Sequence, residues 1–142
     1  MPEVLEDQIA RLVAESEVRR TIADYCQSCD DGRHDEFAAC FTPDAVVHLM
    51  GKRIEGREAI AAWIAAAQPA ERRGKHVTIN PLVRVDVTQR RATGETDYLF
   101  VARRDGRTIV TTAGRYSDAF VPHEDRWLIE RREISFLGAP PG

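Results

Sequence analysis

The sequence has no long apolar run. Its strongest apolar window, Ala59 to Ala67, is far too short to cross a bilayer as a helix, so no membrane partner is expected. The first residues, Met1-Pro2-Glu3-Val4-Leu5-Glu6-Asp7, are acidic and lack the charged-then-apolar order of a signal peptide, which makes a cytoplasmic location the expectation. Cysteine is scarce: three residues, an odd number, exclude a complete disulfide framework within one chain. Cys26-x-x-Cys29 has no second CxxC, and no HxH or HxxxH spacing occurs. No metal is therefore expected, and both sulfurs read as packing on an apolar helix stripe. There is no phosphate loop and no dinucleotide fingerprint, so no cofactor is expected either. Basic excess is absent too. The net charge is -3, and the arginine pairs, from Arg19-Arg20 to Arg131-Arg132, are scattered, which disfavours a nucleic-acid partner. Without repeats, low-complexity segments or linkers, residues 1–142 read as a single domain, with 138–142 as a loose tail.

What is present is organised around Thr21-Ile22-Ala23-Asp24-Tyr25-Cys26-Gln27-Ser28-Cys29-Asp30-Asp31-Gly32. Ile22, Tyr25, Cys26 and Cys29 recur at helical spacing, and Leu5, Ile9, Leu12, Val13 and Val18 extend the stripe backwards into a long helix, with an interruption near Ser16 left open. At roughly 100° per residue, Asp30 lies about 40° around from Cys26 and borders the apolar stripe, whereas Asp31 turns toward the polar face. An inward carboxylate needs a partner, and His76, opening a later strand pattern, is the best candidate. Gly32 suits the left-handed residue past a helix end.

A short helix is expected over 35–40, then turn chemistry at Thr42-Pro43-Asp44 and a strand over 45–50. A brief second strand ends before Gly56, and an alanine-rich helix follows over 56–67, with Ile60, Trp63, Ile64 and Ala67 in its buried stripe. Four longer strand patterns occupy about 76–88, 94–104, 108–121 and 126–136, with a hairpin signal at Asp105-Gly106. Helices first and long antiparallel strands afterwards make an α+β pattern, a curved sheet enclosing a pocket against the helices. Apolar residues on both sheet faces (Leu99 and Val101 against Tyr98 and Phe100) suggest a second subunit over the outer face, hence a homodimer. Strict alternation places His76, Thr78 and Asn80 opposite Val83, Val85 and Val87, so His76 faces the core only if the strand bulges near Pro81.

The layout resembles the SnoaL-like branch of the nuclear transport factor 2-like (NTF2-like) superfamily, a cone-shaped α+β fold. The motifs behind it are Tyr25-x4-Asp30, Phe41-x-Pro43-Asp44-Ala45, Gly56-Arg57-Glu58-Ala59-Ile60, His76-x3-Asn80, Gly114-Arg115-Tyr116-x-Asp118 and Trp127. The set Tyr25, Asp30, His76 is similar to that of scytalone dehydratase, bile-acid 7α-dehydratase and hexachlorocyclohexane dehydrochlorinase. That resemblance implies a cofactor-independent lyase or isomerase acting on a small hydrophobic cyclic, polyketide- or steroid-like metabolite. It implies His76 as general base or acid, Asp30 as its orienting partner and Tyr25 as a donor to a substrate oxygen. No further histidine matches the second one of scytalone dehydratase, and Arg115 or Asn80 is the expected replacement. Leu49, Trp63, Asn80, Tyr98 and Arg115 are expected to line the substrate pocket. The alternative reading is a non-catalytic small-molecule-binding domain or an oxygenase small-subunit-like protein, because this fold hosts both.

Overall fold

A computed structural model describes residues 2–138. Helix α1 spans Leu5–Asp31 without interruption, and α2 spans His34–Ala38. Strands β1 (Phe41–Leu49) and β2 (Lys52–Glu55) precede α3 (Arg57–Ala67) and a short 3-10 turn at Ala70–Arg72. Four long strands follow: β3 (Lys75–Asp86), β4 (Arg91–Arg104), β5 (Arg107–His123) and β6 (Arg126–Phe136). The six strands form one open sheet in the order β2-β1-β6-β5-β4-β3. It is mixed, because β1 runs parallel to β6 while the other neighbours are antiparallel. The three helices pack on this sheet, as expected of an α+β fold.

The core forms where the second half of α1 meets the sheet. Val18, Ile22, Tyr25, Cys26 and Cys29 pack with Phe37, Phe41, Ile60, Tyr98, Tyr116, Phe120 and Ile129. Burying an aliphatic or aromatic side chain of this size contributes about 1.5–3 kcal/mol. The first half of the apolar stripe does not join this core. Leu5, Ile9, Leu12 and Val13 are 53–68% exposed, because the sheet begins to cover α1 only at Ala14.

Two local departures from the sequence pattern matter for the site. The segment Thr42-Pro43-Asp44 lies inside β1 rather than in a turn, and the pairing with β6 shifts between Phe41 and Val46. Proline lacks the ladder N–H, so an irregularity there costs little. In β3 the register against β4 shifts between Ile79 and Leu82, with Asn80 at φ 52°. That irregularity reverses the alternation, so His76 and Thr78 turn to the same side as Val83 and Val85. Of the tail, residues 139–142 lie outside the described residues. Among the described residues, no helix is long and apolar enough to cross a membrane.

Candidate active site

The site begins at the end of α1. Gly32 adopts φ 70°, its N–H donates to the Cys29 carbonyl and the Arg33 N–H donates to that of Ser28. This paired ending needs a left-handed residue, which glycine supplies without a Cβ penalty. The helix therefore stops with Asp30 in its last turn, facing inward, and Asp31 facing out toward Arg33 and Lys75.

Asp30 meets the first residues of β3 with both oxygens. Oδ1 lies 2.6 Å from His76 Nδ1, and Oδ2 accepts a hydrogen bond from the His76 backbone N–H at 2.9 Å. The two side chains are only 4% and 8% exposed. An ionised carboxylate can only accept, so opposite it the facing ring nitrogen is the donor, and a neutral ring then keeps its lone pair at Nε2. The imidazole is walled by aromatic rings: Phe100 at 4.8 Å, Tyr25 at 6.2 Å and edge-on, and Tyr98 at 6.3 Å between centroids.

Behind this pair lies a second charged group that the sequence did not single out for chemistry. Arg132 of β6 is fully buried and forks onto Asp118 of β5, with Nε–Oδ1 at 2.7 Å and Nη2–Oδ2 at 2.8 Å. Its guanidinium carbon stands 3.9 Å from the centre of the Tyr116 ring and 4.1 Å from that of Tyr25. Tyr116 in turn stacks on Tyr98 at 4.2 Å. Burial by itself pushes the guanidinium down, but Asp118 outweighs it and holds Arg132 charged. Arg132 Nη1 is buried with no hydrogen-bond partner among the described residues, so a donor remains beyond those that Asp118 uses. Burial drives the Tyr25 phenol well above its ordinary value, which keeps it neutral and able to donate. The signal for Arg132 was its place in β6, where it alternates with the buried Ile134, and Asp118 alternates in the same way with Tyr116 and Phe120.

The expected pocket residues divide. Tyr25 and Tyr98 are brought to His76. Leu49 and Trp63 pack half-buried against the core, Trp63 also lining a groove of about 660 Å³ between α3 and β2. Asn80 is exposed at the irregularity in β3. Arg115 points outward, 56% exposed and paired with Asp97 at 2.6 Å, because residue 115 lies one step from the inward Tyr116. Tyr98 and Arg115 border a second groove of about 410 Å³ with Ile79, Gly114 and Phe136.

The profile of the SnoaL-like domain matches residues 10–133 of this chain. An NTF2-like protein with a cystatin-like fold from Novosphingobium aromaticivorans is 23% identical, with a TM-score of 0.84 over 99% of this chain and 94% of that one. A protein provisionally named scytalone dehydratase from the same organism is 22% identical, with a TM-score of 0.78 over 94% and 88% of the two chains. LinA is 19% identical, with a TM-score of 0.78 over 95% and 99%. At these identities the structural likeness establishes the fold. No curated relative matches the sequence.

Proposed function

Because this chain belongs to the SnoaL-like family, we propose that it is a cofactor-independent lyase or isomerase acting through the Asp30–His76 pair. The observation that carries this reading is the 2.6 Å contact between Asp30 Oδ1 and His76 Nδ1, buried among aromatic rings. Elimination or isomerisation beside a carbonyl needs a base that works near neutrality, and imidazole is the side chain suited to it. In this mechanism His76 Nε2 takes the substrate proton, and the ring becomes an imidazolium that Asp30 stabilises and orients. The Tyr25 phenol donates to the substrate oxygen on which negative charge develops. Arg132, held charged between Tyr25 and Tyr116, adds a positive field on the same side.

The aromatic surroundings of His76 favour a small, largely apolar cyclic metabolite as substrate. Dimerisation through the outer face of the long strands belongs to the same reading, since Val77, Leu82 and Val110 are exposed there. So does a cytoplasmic location, in which three buried free cysteines stay reduced.

A second reading, a binding module without turnover, is favoured by one feature. Asp30 spends its second oxygen on the His76 backbone N–H, as a purely structural carboxylate would. A screen of cyclic hydroxy-ketones separates the two. Turnover by the wild type that is lost in His76→Ala supports catalysis. Saturable binding without turnover, unaffected by His76→Ala, supports the binding module.

A further inference from the structure

No spacing in the sequence suggests a metal, yet the fold brings three donors together from two distant segments. Cys29 Sγ, a carboxylate oxygen of Asp30 and a ring nitrogen of His76 all lie within 4.8 Å of one another. We propose that this cluster binds a borderline divalent cation, zinc above all, and that the bound ion switches the Asp30–His76 pair off. The switch rests on His76 being the base; the binding does not.

The donor set selects the ion. Thiolate, imidazole and carboxylate together suit zinc, whereas calcium and magnesium require oxygen ligands. Charge selects it as well. One thiolate and one carboxylate neutralise a dication, so the filled site carries no net charge into a region where the side chains are almost fully covered. The donors are held in advance: Cys29 and Asp30 sit in the last turn of α1, closed by the Gly32 ending, and the His76 backbone is tied to Asp30. Zinc–ligand bonds of about 2.0–2.3 Å in a tetrahedron set donors roughly 3.3–3.6 Å apart. Binding therefore requires the present N–O contact of 2.6 Å to open and the sulfur to move in. Three protein ligands leave a fourth position for water.

The proton balance explains the switch. Cys29 loses its thiol proton to solvent as the sulfur takes the metal. The imidazole moves its own proton from Nδ1 to Nε2 as Nδ1 takes the metal. With Nε2 protonated and Nδ1 occupied, His76 has no lone pair to accept a proton from substrate.

The test uses the whole protein with zinc chloride in calorimetry and cobalt chloride in absorption. The expected result is one zinc per chain in the wild type and in Cys26→Ala and Cys40→Ala. In Cys29→Ala and His76→Ala binding weakens by about tenfold or more. Cobalt should give a thiolate charge-transfer band in the wild type that Cys29→Ala lacks. Cys29→Ser, nearly isosteric, repeats the comparison if the alanine variant folds poorly. Equal zinc affinity with and without the Cys29 sulfur, or no thiolate band, overturns the site. In turnover assays zinc should stop the wild type and spare Cys29→Ala; wild-type turnover that persists with the site filled overturns the switch. Full activity of His76→Ala overturns the catalytic reading instead, and leaves zinc binding to stand or fall by calorimetry.

Discussion

Asp30 grips His76 twice, its Oδ1 on the ring at 2.6 Å and its Oδ2 on the backbone N–H at 2.9 Å. The same carboxylate thus sets the position of the main chain that carries the imidazole and the orientation of the ring itself. It also joins the end of α1 to the start of β3, residues 46 positions apart in sequence.

If the two residues work as one unit, His76→Ala and Asp30→Asn each lower turnover by about 10²–10⁴-fold. The double variant then costs little more than the worse single one. Steady-state kinetics on a substrate found by screening checks this. Multiplicative losses would separate Asp30 from the base.

Tyr25→Phe removes one hydroxyl while keeping the ring against Phe37, Phe41 and Arg132. A lost hydrogen bond to a developing oxyanion costs about 1.5–3 kcal/mol in the barrier, while the melting temperature changes little. Comparing kcat with thermal unfolding of the same variant distinguishes the phenol's role in chemistry from a role in packing.

Asp118→Ala leaves the Arg132 guanidinium buried and unpaired, and stability should fall by about 3–5 kcal/mol. Replacing the pair together, Asp118→Leu with Arg132→Met, should restore most of that stability, because two buried charges are exchanged for apolar packing. Urea unfolding measures both. Full stability in the restored double variant, with turnover lost, would mark the pair as kept for function.

Alkaline pH should destabilise the fold. Burial pushes the thiols of Cys26 and Cys29 up to about 12 and that of Cys40 up to about 11, from an ordinary 9.0. A folded value above the unfolded one means that the folded state holds protons the unfolded state has released. Stability is therefore complete below about pH 9 and declines above it, by about 1.4 kcal/mol per pH unit for each such thiol. Denaturant unfolding at pH 8, 9, 10 and 11 reads the slope, and Cys26→Ala should reduce it by one thiol's share.

Gly32→Ala tests the helix ending. An added Cβ would run into the Arg73 guanidinium, the far end of a flexible side chain that can move aside. The lasting cost is the left-handed backbone at φ 70°, about 1–2 kcal/mol. Since Asp30 lies two residues before this position, turnover should fall along with the melting temperature.

Much of this architecture was legible in the chain. Helical spacing marked α1 to its end at Gly32, and the inward Asp30 beside the outward Asp31 followed from about 100° of rotation per residue. Alternation and the Asp105-Gly106 signal marked the long strands. These are local properties, set by backbone geometry and nearest neighbours. What the tertiary structure decided depends on surfaces that meet across the chain. Leu5, Ile9, Leu12 and Val13 have the pattern of a buried stripe but stay exposed, since burial depends on whether the sheet reaches that far. Arg115 shares a motif with Tyr116 yet points away, because a single residue step reverses the face. Arg132 is one of many arginines in the sequence, and only the packing of Tyr25, Tyr116 and Asp118 around it makes it a buried charge. Cys29 likewise reads as a small apolar residue, and becomes a neighbour of the Asp30–His76 pair only when β3 closes against the end of α1.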